Sequence, residues 1–326
     1  MQCASLLNEQ IIRLSKVTSP VTQAVLTIFD FMDKLIHGLA ADATVRVMAA
    51  ITTDTVREAV RRHQTSPTAS VAFGRVLTGN LLLGASLKDF DRLTVKIESD
   101  GSVEGIVSEA IADGKVRGYI RNPLADLPQK TDGTFDVAGI VGKGMFYVTR
   151  ESGFEIGLHH EPYIGSIAIQ SGEIAEDFAD YLLKSEQIPS AVMLGVLLQT
   201  EEPFIHCAGG VMIQMLPTAN ENIAVMIEDT IFHAPGLTDA IKEGATPEDL
   251  LKMTLGIIDY EILGEKEVKF ECNCSFERAV QLISSLGKQE VASMLEEDKG
   301  ATMTCGFCNE IYTLDEDDLR KILENE

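Results

Sequence analysis

Four cysteines in two close pairs constrain this chain more than any other feature of its sequence. Cys272-Asn273-Cys274 and Cys305-Gly306-Phe307-Cys308 are separated by the 30 residues from Ser275 to Thr304. Two thiol pairs at such spacing match the closed tetrahedral shell of a structural zinc, and Gly306 allows the tight turn that lets both sulfurs of the second pair face one ion. Cys272, Cys274, Cys305 and Cys308 are therefore the candidate ligands of one Zn2+ per chain. A disulfide scaffold fits poorly in a chain of 326 residues with four of its six cysteines inside 37 residues and no recognisable secretory signal before them. A reducing cytoplasm is the expected compartment.

The stretch between the pairs predicts two helices. Ser275 can cap the first, with Ala279, Leu282, Ile283 and Leu286 on one face and Gly287 at its end; the second, about 288–297, presents Val291, Met294 and Leu295. These few apolar residues are the core of a unit spanning 267–326. At roughly 60 residues, burial and chain entropy nearly cancel, so the metal must supply the margin.

The segment before this unit is different in kind. From Thr218 onward the chain has 24 acidic and 9 basic side chains, which places −15 of the formal −23 in the last third. Such charge repels nucleic-acid phosphates, so neither DNA nor RNA is an expected partner. Residues 218–266 read as a helical linker. Ile223, Met226 and Ile227 share a face, and Thr246-Pro247-Glu248-Asp249 is a strong helix start followed by Leu250, Leu251, Thr254 and Leu255. Helices this short and acidic depend on docking to a neighbour.

Residues 32–217 read as a mixed α+β core. Thr44–Met48, Leu93–Glu98 and Ile205–Leu216 are predicted strands; Thr53-Asp54 begin a helical tract that continues after Pro67 to about Leu87. Ser171-Gly172-Glu173 precedes another helix through about Lys184, with Asp177 and Asp180 marking it as partly exposed. No regular βαβ rhythm is present. Residues 1–31 read as an extension or mis-assigned start, poorly ordered, and Cys3 receives no role. Apolar stretches fall short of the roughly 20 residues of a membrane span, so no membrane partner is expected.

Thiolates are what oxidants attack, and two sulfurs held side by side can close a disulfide once one reaches the sulfenic acid. Structural zinc contributes about 10 to 16 kcal/mol of apparent binding energy in small domains, so its loss would unfold the module and undock the linker. A plain zinc ribbon that only stabilises a tail is the alternative. So is a thiol-disulfide oxidoreductase using Cys305 and Cys308, although no thioredoxin-like βαβ context surrounds them.

The chain resembles the redox-regulated heat-shock protein 33 family, the 33 kDa chaperonins, over residues 32–326. The resemblance rests on Thr65-Ser66-Pro67-Thr68-Ala69, Leu93-Thr94-Val95-Lys96-Ile97, Ser171 through Phe178, Ser185-Glu186-Gln187, Ala208-Gly209-Gly210 and the cysteine tail. It implies an ATP-independent holdase without catalytic chemistry, inactive when reduced and zinc-bound. Oxidation would form the disulfides Cys272–Cys274 and Cys305–Cys308 and release zinc, and segment 218–266 would unfold to meet unfolding client proteins. The resemblance also implies a homodimer in the oxidised state.

Other suggestive residues receive plain readings. Cys207 in an apolar strand is an inert buried thiol. His159-His160-Glu161 and Gly142-Lys143-Gly144 are turns, the latter lacking the spacing of a phosphate loop. Asp315–Asp318 opens a solvated terminal helix rather than a calcium site.

Overall fold

The computed structural model describes residues 33–87, 91–151, 162–202 and 204–325. The predicted extension, Cys3 and His159-His160-Glu161 lie outside them.

Two antiparallel-rich sheets enclose one helix. The first sheet has the order β10-β1-β2-β9-β8, from strands Lys34–Ala40 (β1), Val45–Ile51 (β2), Ser190–Leu198 (β8), Ile205–Met215 (β9) and Tyr260–Glu267 (β10). The second has the order β11-β5-β4-β3-β6-β7. Its strands are Arg92–Ser99 (β3), Gly105–Ile111 (β4), Lys115–Ile120 (β5), Gly144–Glu151 (β6), Tyr163–Ala168 (β7) and Lys269–Phe270 (β11). Helix α1 (Thr53–His63) leads into α2 (Pro67–Leu83), which lies between the sheets. Every residue of α2 except Pro67 and Arg75 is buried, as expected of a helix that is apolar all round. Close approach depends on small residues there: a Cβ on Gly79 would lie 2.4 Å from the ring of Phe178.

Strand β2 buries both faces. Met48 and Ala50 point to the α2 side, while Val47 and Ala49 point outward to a second apolar layer, the period-two alternation of a strand. That outer layer is covered by α5 (Glu221–His233), α6 (Leu237–Lys242) and α7 (Pro247–Leu255), which contribute Ile227, Leu237, Ile241, Leu250, Leu251 and Leu255; the short α3 (Val137–Val141) and α4 (Ala175–Lys184) pack on the inner core. The helix start at Thr246 is a reciprocal capping box with Asp249.

Three expectations are corrected. Segment 218–266 is not helical throughout, because Tyr260–Glu267 forms the edge strand β10 on β1, a partner more than 200 residues away that local pattern does not reveal. Charged Glu261, Glu265, Lys266 and Glu267 suit such an edge. Met226 does not share the buried face of Ile227, being 40% exposed. Asp177 is 1% exposed rather than solvated: its carboxylate accepts the backbone N–H groups of Gln170, Ser171, Gly172 and Ile174 and so shapes the loop before its own helix. Gly142-Lys143 links α3 to β6, which begins at Gly144, and Cys207 is a buried thiol beneath α6.

Past β11 come α8 (Phe276–Ser284), α9 (Lys288–Glu297), the hairpin β12 (Ala301–Thr304) and β13 (Ile311–Leu314), and α10 (Glu316–Asn325). Their separate core holds only Ala279, Ile283, Val291, Leu314, Leu319 and Ile322 fully buried, while Leu282 and Leu286 are more than half exposed. Asp315 and Asp318 cap the start of α10 through each other's backbone N–H, which accounts for the acidic run. Among the described residues no helix is long and apolar enough to cross a membrane.

Candidate metal centre

The hairpin β12–β13 carries the second cysteine pair as a knuckle. Cys305 donates its N–H to the carbonyl of Glu310 at 2.8 Å, Asn309 returns a bond to the Cys305 carbonyl at 2.9 Å, and Asn309 takes a left-handed φ of 56° to close the turn. The first pair follows β11 directly and ends at Ser275, whose hydroxyl caps α8. Folding thus brings both pairs together across the two helices that separate them in sequence.

The four sulfurs all lie within 4.8 Å of one another. Cys272 Sγ is 3.8 Å from Cys305 Sγ, and Cys274 Sγ is 3.4 Å from Cys308 Sγ. A Zn–S bond of about 2.3 Å gives a tetrahedral edge of about 3.8 Å, so the donor set fits such an ion in number, chemistry and size. All four are free thiols, and each short contact joins a sulfur of one pair to a sulfur of the other.

The cluster packs against the main core rather than the module's own. Cys308 is 1% exposed and belongs to the α2 core, with Cys272, Cys274 and Cys305 packed beside it. Burial pushes the Cys308 and Cys274 thiols up. Cys305 is also pushed up by burial, yet the backbone N–H groups of Phe307 and Cys308 outweigh it and bring the thiol below its ordinary value. Tyr312 donates its hydroxyl to Cys274 Sγ at 3.1 Å, a bond that raises the phenol's own pKa.

Residues far away in sequence hold the knuckle in place. Arg117 on β5 donates to Cys272 Sγ at 3.6 Å, pairs with Glu109 at 2.8 Å and lies over the Phe307 ring, which Tyr119 meets edge-on at 5.6 Å between centroids. His63, the last residue of α1, has Nε2 3.2 Å from the Phe307 carbonyl and Nδ1 3.2 Å from the Asn309 side-chain amide. Burial lowers its pKa, so the neutral Nε2–H tautomer satisfies both neighbours, Nε2–H donating to the carbonyl and Nδ1 accepting from the amide. Arg62 adds an ion pair to Glu310 at 2.9 Å. The cysteine spacing points to the four thiols of the cluster but to none of Arg117, His63 or Tyr312; Phe307, an apolar residue inside the Cys305–Cys308 knuckle, is the one signal in the sequence of a docking surface.

Fold and site together define an α+β protein with a docked four-cysteine metal-binding module. The sequence profile of the Hsp33 protein family matches residues 33–315. The chain is 42% identical over 292 residues to the 33 kDa chaperonin of Desulforamulus reducens, covering 90% of this chain and 97% of that protein. It is 44% identical over 295 residues to the 33 kDa chaperonin of Listeria monocytogenes serotype 4a, covering 90% and 98%. The crystal structure of the 33 kDa chaperonin of Thermotoga maritima superposes with a TM-score of 0.80 at 33% identity, over 90% of this chain and 98% of that one. The chain belongs to the Hsp33 family. It is accordingly a chaperone of that type and not an enzyme, which sets aside the oxidoreductase alternative.

Proposed function

We propose that this protein is a redox-regulated, ATP-independent holdase of the cytoplasm, with the thiol cluster as its release catch. The reading rests most on one observation: the four sulfurs sit at the seam between module and core, where the knuckle they shape also carries Phe307 against Arg117, Tyr119 and His63. In the reduced state Cys272, Cys274, Cys305 and Cys308 hold one Zn2+, which when bound ties the start of the module to its β12–β13 hairpin. A peroxide takes two electrons from one thiolate, leaving a sulfenic acid and hydroxide; the second thiolate of the pair displaces hydroxide from that sulfur and closes the S–S bond.

The proposed bonds are Cys272–Cys274 and Cys305–Cys308, two electrons each, after which none of the four sulfurs remains a thiolate donor and zinc leaves. With the knuckle reshaped, the segment 218–266 unfolds and uncovers the apolar outer face of the first sheet, at Ile36, Val47, Ala49 and Val211, for unfolding clients. We take 32–217 as the core, 218–266 as the linker and 267–326 as the switch module, and expect the oxidised form to dimerise.

The test compares peroxide-treated with reduced protein in suppressing light scattering by an unfolding client, alongside zinc content and a disulfide map. Suppression by the oxidised form alone, with one zinc freed per chain, is the expected result. Equal behaviour of both forms, or zinc retained after all four thiols are lost, would overturn the reading.

A further inference from the structure

The chain carries 50 acidic and 27 basic residues other than histidine, and an arginine without a carboxylate partner is the exception among its described residues. Among the described residues every arginine has a carboxylate partner except Arg278, which is exposed, and Arg46, which is half-buried. Among the described residues Arg46 bonds only to the amide oxygen of Gln214, its cross-strand neighbour on β9, at 3.0 Å. Gln214 is itself 3% exposed. A guanidinium drawn partly out of water and matched only by a neutral amide is short of negative charge.

A second arginine reaches the same place from the other sheet. Arg46 follows the parity of Met48 on β2, and Arg150 that of Phe146 and Val148 on β6, so both side chains turn inward at one end of the sandwich. There they line a cavity of about 80 Å³ with Gln214, Glu186, Leu82 and Leu182. Arg150 pairs with Glu186 at 3.0 Å, and Glu186 also accepts the Tyr181 hydroxyl at 2.7 Å, so that carboxylate is already committed. The Nε–H of Arg150 is buried without a partner. Two guanidiniums against one carboxylate leave the cavity with one net positive charge, an orphan donor and a neutral amide.

From this arrangement we infer that the cavity is a binding site for a single tetrahedral oxyanion of the size of inorganic phosphate or sulfate, held by Arg46 and Arg150 with Gln214 as the neutral contact. A water needs about 10–15 Å³ of such space, so the volume corresponds to roughly five to eight water-sized positions, enough for one oxyanion and too little for a nucleotide. Planar guanidiniums are suited to bidentate contacts with such oxygens. The bound anion would join the ends of β2 and β6, which belong to different sheets, and so stabilise the core by linkage.

Calorimetric titration of the reduced, full-length protein with sodium phosphate and with sodium sulfate tests this, against sodium chloride at matched ionic strength. One saturable site for either oxyanion is expected in the titration, with a melting temperature that keeps rising with the logarithm of anion concentration once the site is filled. Arg46→Met should weaken that affinity roughly 10- to 100-fold, the usual cost of a charge-assisted contact, while Arg320→Met on the exposed face of α10 leaves it unchanged. If Arg46→Met does not fold, Arg150→Lys, which keeps the charge but removes Nε–H, should still weaken binding. No saturable heat with either anion, undiminished affinity in the folded variants, or binding of ADP in preference to phosphate would overturn the inference.

Discussion

The guanidinium of Arg117 lies 4.1 Å from the centroid of the Phe307 ring while the same group reaches Cys272 Sγ. One core residue therefore touches the apolar tip of the metal knuckle and a sulfur of the metal cluster at once. A four-thiolate zinc site carries a net charge of about −2, and closing both disulfides removes it. In the proposed switch Arg117 would lose attraction to the module in the same event.

Replacing Arg117 by Met should accordingly loosen the docking of the knuckle. A stacked cation contributes about 0.5–2 kcal/mol and a charge-assisted hydrogen bond about 1.5–3 kcal/mol, so zinc release under a fixed peroxide dose should accelerate several-fold. Arg117→Lys, which keeps charge but not the planar stack, should fall between. Glu109 retains Arg92 at 3.5 Å, which limits damage to the core. A chromogenic zinc chelator follows the rate; unchanged kinetics in both variants would show that the contact has no part in holding the module.

Removal of the metal from the reduced protein should unfold the module while sparing the two-sheet core. Six fully buried residues cannot offset the chain entropy of 276–325, whereas the core on α2 is large and shared by both sheets. Limited proteolysis with mass spectrometry after chelation should cut first beyond Phe270. Protection equal to that of the zinc-loaded protein would show that the module folds by itself.

Asp33 gives a pH dependence with a definite sign. Burial pushes its carboxyl from 3.8 up to about 7, against the opposing hydrogen bond from the Thr55 N–H, and its second oxygen has no partner. The folded state holds the proton through a range in which the unfolded chain has released it. Stability is therefore greatest on this account below about pH 4, falls as pH rises toward 7, and levels above it, by about 4 kcal/mol at the outside. Asp33→Asn should flatten that slope in denaturant titrations from pH 4 to 8 and stabilise the protein at the upper end. A slope identical to that of the unchanged protein would refute the assignment.

Gly38 marks the irregular register where β1 meets β10, and a Cβ there would sit 2.0 Å from the Glu261 carbonyl oxygen. Gly38→Ala should force β10 away from β1 while β1 keeps its pairing with β2. Hydrogen exchange should then rise at Tyr260–Glu267 and stay low in β2 and β9. Protection lost equally across the whole sheet would argue against a local effect.

Much of this architecture was legible where the deciding interactions are local. The cap at Thr246 and the alternation of β3 depend on residues a few positions apart, and the structure places both as read; the two closely spaced cysteine pairs meet in one cluster able to hold a metal ion. What escaped depends on distant partners. The β10 strand exists because the edge of β1 is open to it; Arg117 meets Cys272 across 155 positions, and His63 meets Phe307 across 244. Asp177 misled for a different reason: an acidic residue in the first turn of a helix ordinarily faces water, and here it instead gathers four backbone N–H groups of a tight loop.

Between the covering helices and Cys272 the chain runs along the edge of one sheet and then the other, as β10 on β1 and β11 on β5. Mechanically, this stretch is a seam with stitches of unequal strength. The two-residue β11 lies next to the cysteines, and the longer β10 stands behind it, joined by the Val268 N–H to Asp33 carbonyl bond. A pull that begins at the thiols opens the weak stitch first and meets the strong one second. In the proposed switch, a disturbance that parted β11 alone would leave the covering helices in place, and one that parted β10 as well would free them.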